Sequence, residues 1–106
     1  MLNVALLYEG FAVASAADTT TVERYLAISA PKILLLDYLF PSAAKSAELV
    51  QSLKARASPI IILMTCLSNA ASIAESLSIE YSIQKPFNPM TLIALIRKAL
   101  IKHYPD

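Results

Sequence analysis

The chain of 106 residues contains one glycine, Gly10, and one cysteine, Cys66. A single cysteine excludes an internal disulfide and any multi-cysteine metal site, and it fits a reducing compartment. A single glycine leaves no glycine-rich loop of the kind most nucleotide- and flavin-binding α/β domains wrap around phosphate. A Gly-x-Ser-x-Gly elbow and a paired-carboxylate site are missing too, so the chain does not read as an enzyme. Charge is scarce and balanced: nine Lys and Arg against eight Asp and Glu give a net charge of +1. Such a chain offers no field of one sign to nucleic acid or to an anionic membrane. No apolar run approaches the roughly 18 residues of a membrane span, and the N-terminus lacks a basic segment followed by a cleavage-like site. We expect a cytoplasmic protein with neither nucleic acid nor membrane as a partner.

What the chain has in quantity is apolar surface. With 57% hydrophobic and 16% charged residues, it can bury enough to offset the entropy of ordering, and its length suits one domain. Two short runs, "ILLL" (33–36) and "IIILM" (60–64), follow Pro31 and Pro59 and read as strands buried on both faces, the mark of a parallel sheet. "FAVASAA" (11–17) is a weaker strand, and "YSI" (81–83) a short, edge-like one.

Helical patterns separate these strands. In "TTTVERYLAIS", Thr20 and Glu23 form a capping box ahead of Val22, Tyr25 and Leu26. In "SAAKSAELVQSLKAR", Leu49, Val50 and Leu53 make an apolar stripe that Ser42 can open; in "SNAASIAESLS", Ser68 caps a helix burying Ile73, Ala74 and Leu77. The last helix has Asn88 as cap, Pro89 in its first position, and Leu92, Ile93, Ile96, Ala99 and Leu100 on one face. Alternation of this kind predicts a doubly wound α/β sheet with helices on both sides, a three-layer α/β/α sandwich. The start is unusual. "MLNVALLYEG" looks like the last turns of a helix, with Leu2, Ala5 and Leu6 ahead of Glu9 and Gly10, so the domain is expected to lack its first strand.

In open α/β sheets the ligand site lies beyond the carboxyl ends of the strands. After "ILLL" comes Asp37, after "IIILM" Thr65, and after "YSIQ" Lys85, followed by Pro86. An aspartate can accept a phosphoryl group as a nucleophile, a lysine can hold an anionic oxygen, and a threonine hydroxyl can donate to it. Taken singly, Asp37 reads as a helix cap or a solvated loop residue, and Lys85 and Thr65 as a surface charge and a strand end. The three in register suit one task.

The segments "KILLLDYLFP", "PIIILMT" and "QKPFNPMTLIALIRKAL" resemble the receiver domain of two-component response regulators, and the likeness runs upstream through "EGFAVASAADTTTVERYLAISAPKILLLD". The resemblance implies a flavodoxin-like fold with strand order 2-1-3-4-5. It makes Asp37 the phosphoacceptor, Thr65 the switch hydroxyl and Lys85 the phosphate-binding cation, with a cis peptide bond before Pro86. It implies Mg²⁺ held by Asp37 and the backbone carbonyl of Leu39, and a histidine kinase or phosphotransfer protein as partner. No output domain follows the last helix, so residues 1–106 are expected to form one N-terminally incomplete receiver-like domain.

Three departures from the family pattern stand out. The acidic pair that completes the Mg²⁺ site is absent, since only Glu9 precedes Asp18, and one carboxylate with one carbonyl makes a weak site. Ser82 stands where the family places an aromatic switch residue; the adjacent Tyr81 points to the opposite face. Ser42, Ala43 and Ala44 open the helix after Pro41 without the usual glycines. A missing central strand would be met by direct pairing of 11–17 with 33–36, by strand exchange in a homodimer, or by a longer parent chain. These departures support an alternative: a degenerate or truncated receiver that dimerises or binds partners without phosphorylation. Cys66 reads as a small buried hydrophobe, His103 as a surface residue, and Arg97, Lys98 and Lys102 as the solvated side of the last helix.

Overall fold

The structure is a computed structural model that describes residues 19–28, 31–39, 42–54 and 59–104. The expected strand over 11–17 and the helix end closing at Gly10 lie outside the described residues. The described residues fall into two compact units, those up to Pro86 and those from Phe87 onward, taken here in turn.

The first unit alternates helix and strand: α1 (Thr19–Ile28), β1 (Ile33–Asp37), α2 (Ala43–Lys54), β2 (Ile60–Thr65), α3 (Ala70–Ser76) and β3 (Tyr81–Gln84). The strands form a parallel sheet in the order β1-β2-β3. Each runs one residue past the apolar run that marks it in the sequence, so Asp37 and Thr65 are the last residues of β1 and β2. The register sets Leu34 beside Ile61 and Leu36 beside Leu63, and on to Ser82 of β3, which places these side chains on one face. Ile62 pairs with Tyr81 and Met64 with Ile83 on the other. Tyr81 is buried on that second face, opposite to Ser82, as alternation requires.

The first face carries the core. Leu36 and Leu63 cluster with Leu49, Val50 and Leu53 of α2, with Ala74 of α3 and with Ile79; Val22 and Leu26 of α1 pack against them. Val50 and Leu63 have no exposed surface, and burial of such side chains is worth about 1.5–3 kcal/mol each. The last four residues of β2, Ile62, Leu63, Met64 and Thr65, are all buried, so the strand is covered on both faces there. β1 is only half-buried except at Leu36. The Tyr25 side chain, read as part of the α1 stripe, lies outside the described residues.

Three expectations are corrected. Helix α1 opens at Thr19, so Thr20 is its second residue and not its cap. Helix α3 begins after Asn69, whose side chain makes no capping bond; Ser68 stands one residue too early to reach the free amides of the first turn. Cys66 is exposed, not buried, because β2 ends at Thr65 and the chain turns away from the sheet there. Ser42 does cap α2, its Oγ accepting from the Lys45 amide at 3.2 Å.

The second unit holds α4 (Pro89–His103). Asn88 caps it, Oδ1 accepting from the Met90 amide at 2.8 Å, and Pro89 takes a position whose amide has no helical partner in any case. Of the stripe read from the sequence, Leu92, Ile93, Ile96 and Ala99 are buried and Leu100 is half-buried, while Arg97, Lys98, Lys102 and His103 are exposed. Among the described residues no helix is long and apolar enough to cross a membrane.

Candidate phosphoacceptor site

The C-terminal ends of the three strands carry the candidate residues, and the backbone there is tightly specified. The β1–β2 ladder continues one step past Asp37, because the Tyr38 amide donates to the Met64 carbonyl at 2.9 Å. The Lys85 amide donates to the Thr65 carbonyl at 2.7 Å, which fixes the residue after β3 to the last residue of β2. The Lys85-Pro86 peptide bond is cis.

Both oxygens of the Asp37 carboxylate have donors. Oδ1 accepts from the Leu39 amide at 3.2 Å, the local turn that aspartate makes with the amide two residues on. Oδ2 accepts from Lys85 Nζ at 2.6 Å. The pair is partly open to solvent, with side-chain exposures of 39% for Lys85 and 36% for Asp37, so an incoming group can reach it. Thr65 repeats the Asp37 turn one strand over: it is fully buried, and its Oγ1 accepts from the Leu67 amide at 3.2 Å. The structure thus brings Asp37 and Lys85 into direct contact and sets Thr65 at the neighbouring strand end, its hydroxyl oxygen engaged by its own turn.

One residue here escaped the sequence reading. Ser46 of α2 has no exposed surface, and its hydroxyl donates to the Tyr38 carbonyl at 2.7 Å, with the Asp37 carbonyl at 3.3 Å. A signal for it exists. Positions 46, 49, 50 and 53 form one helical stripe, and a serine in line with Leu49, Val50 and Leu53 must find a buried partner.

The donor set does not suit Mg²⁺. The ion favours six oxygens in near-octahedral array and usually binds through one or two carboxylates plus phosphate. Among the described residues Asp37 is the one carboxylate at this edge, its oxygens face an ammonium and an amide, and the resemblance adds only the Leu39 carbonyl. Among the described residues no three His, Cys, Asp or Glu side chains cluster where they could hold a metal.

No family model matches the chain, and no curated protein matches it in sequence. Solved structures do. The signal receiver domain of a signal transduction histidine kinase from Syntrophus aciditrophicus is 20% identical with a TM-score of 0.83, the match covering 99% of this chain and 83% of that one. The chemotaxis response regulator CheY4 of Vibrio cholerae is 20% identical with a TM-score of 0.81, covering 94% and 87%. A CheY-like response regulator receiver domain protein from Methanospirillum hungatei JF-1 is 22% identical with a TM-score of 0.80, covering 95% and 82%. With its parallel sheet, its helices and these neighbours, the chain has the flavodoxin-like α/β fold of response-regulator receiver domains.

Proposed function

We propose that this chain is a signalling domain in which Asp37 accepts a phosphoryl group from a histidine kinase or phosphotransfer protein in the cytoplasm, and that the modification alters binding to a downstream partner. The observation that carries this reading is the 2.6 Å contact between Lys85 Nζ and Asp37 Oδ2 at the carboxyl edge of a parallel sheet. A carboxylate oxygen of Asp37 attacks the phosphorus of a phosphohistidine. The nitrogen–phosphorus bond breaks, its electron pair stays on the imidazole, which takes up a proton, and an acyl phosphate forms on Asp37. Lys85 lies where its ammonium can hold a phosphoryl oxygen as a point charge. For the Thr65 hydroxyl to donate to that group, it must reorient from its turn with Leu67. Since the described residues fit Mg²⁺ poorly, Lys85 is the main positive charge in this scheme, and transfer should be slow.

A second reading is favoured by the same geometry. Lys85 and the Leu39 amide already occupy both carboxylate oxygens, as they would in a module that binds partners, or a second copy of itself, without phosphorylation. The two readings separate in one experiment. The chain and Asp37→Asn are incubated with acetyl phosphate, phosphoramidate and an autophosphorylated histidine kinase, and intact mass is followed. One added phosphoryl group on the parent and none on the variant supports phosphoacceptance. No addition from any donor overturns it and leaves the binding module.

A further inference from the structure

Ser46 sits inside α2, where alanine is the better helix former and where burying a hydroxyl is costly unless it is bonded. A serine within a helix commonly bonds back to the carbonyl four residues earlier. The Ser46 backbone amide makes the ordinary helical bond to the Ser42 carbonyl at 3.0 Å. Its hydroxyl instead reaches out of the helix and donates to the Tyr38 carbonyl, eight residues back, at 2.7 Å.

The Tyr38 carbonyl belongs to the peptide unit whose nitrogen is that of Leu39. The Leu39 amide in turn donates to Asp37 Oδ1 at 3.2 Å. A peptide unit is planar, with its carbonyl and amide pointing in opposite directions, so Ser46 grips one end of this plate while the Asp37 carboxylate is held at the other. A hydrogen bond to the carbonyl also polarises the plate and strengthens its amide as a donor. The carbonyl of Asp37 itself lies 3.3 Å from the same hydroxyl, which ties the residue's backbone to α2 as well.

We propose that Ser46 is a positioning residue: through the peptide joining Tyr38 and Leu39 it sets the rotation of the Asp37 carboxylate, holding Oδ1 on the Leu39 amide so that Oδ2 is presented to Lys85. Its consequence for phosphoryl transfer rests on the function proposed above; the geometric role does not. The hydroxyl touches no reacting atom. It acts by restricting the carboxylate to one orientation, which removes an entropic part of the barrier to attack.

The test measures amide hydrogen exchange by NMR in the parent and in Ser46→Ala, alongside the rate of phosphoryl uptake from phosphoramidate. The expected result is exchange at the Leu39 amide faster by about tenfold, the size of one lost hydrogen bond. The amides of Leu63 and Met64 in β2 should change little, and where the parent is phosphorylated, uptake should slow several-fold. Unchanged Leu39 exchange, or a parallel rise at Leu39, Leu63 and Met64, overturns the proposal, since the second pattern reports only lower overall stability. If Ser46→Ala does not fold, Ser46→Cys keeps the side-chain size with a much weaker donor and must give the same selective pattern. A parent that takes up no phosphoryl group but shows selective Leu39 exchange refutes the function while supporting the positioning role. Phosphorylation with unselective exchange does the reverse.

Discussion

Lys85 Nζ and Asp37 Oδ2 stand 2.6 Å apart although 48 positions separate the two residues in the chain. An ion pair more than a third exposed at each end contributes only about 0–1 kcal/mol to stability. Lys85→Met is therefore expected to shift the free energy of urea unfolding by less than about 1 kcal/mol. Under the proposed function, the same substitution slows phosphoryl uptake by Asp37 at least tenfold, because a solvent-facing thioether chain supplies no charge to the phosphoryl oxygens. Urea titration and intact-mass kinetics on one preparation check both halves.

The strand ends are legible to within one residue because each apolar run stops one position short of the end of β1, β2 or β3, and the residues that follow such runs in a parallel sheet share an edge. The α4 cap was legible for a local reason: Asn88 followed by Pro89 fixes the first turn without tertiary help. The helix starts near Thr20 and Ser68 are misplaced because neighbouring cap types compete, Thr19 to Thr21 at one and Ser68 with Asn69 at the other, and the choice among them depends on the loop geometry that precedes it. Cys66 was misread because composition favours a buried thiol, whereas its exposure follows from the turn that Thr65 makes with Leu67. The burial of Ser46 is legible in the stripe it shares with Leu49, Val50 and Leu53, but its partners are not, because main-chain carbonyls leave no trace in side-chain patterns.

Thr65 offers a test of how far burial and turn geometry hold the end of β2. Thr65→Val keeps the volume but removes the acceptor of the Leu67 amide, and it is expected to cost about 1–2 kcal/mol. Thr65→Ser keeps the hydroxyl, loses a buried methyl, and should cost about 1 kcal/mol through packing alone. Chemical denaturation gives the two costs, and amide exchange at Leu67 separates their causes, rising in the valine variant and staying low in the serine one.

Ser78 adopts a positive φ of 58°. It closes α3, with its amide donating to the Glu75 carbonyl at 3.0 Å and the Ile79 amide to the Ala74 carbonyl at 2.8 Å. This is a helix stop that glycine normally fills, because a Cβ is strained in the left-handed region. Ser78→Gly is expected to stabilise the chain by about 1 kcal/mol, after discount for the added freedom of the unfolded glycine. A lower midpoint in urea for Ser78→Gly than for the parent would show that the strain relieved is smaller than the entropy the unfolded glycine gains.

The Asn88 side chain caps the first turn of α4 through its bond from the Met90 amide, and that turn contains no acidic residue to meet the positive end of the helix dipole. Asn88→Ala should cost about 1 kcal/mol. Asn88→Asp keeps the acceptor and adds a negative charge, for an expected gain of about 0.3–1 kcal/mol at neutral pH and low salt. The sign of its pH dependence follows. The dipole favours the ionised form and lowers the folded-state pKa of the new carboxyl below that of the unfolded chain. The gain is therefore fully present above the unfolded value and is lost as pH falls through the folded one. Thermal melts of parent and Asn88→Asp should diverge at pH 7, converge in acid, and draw together as salt is raised.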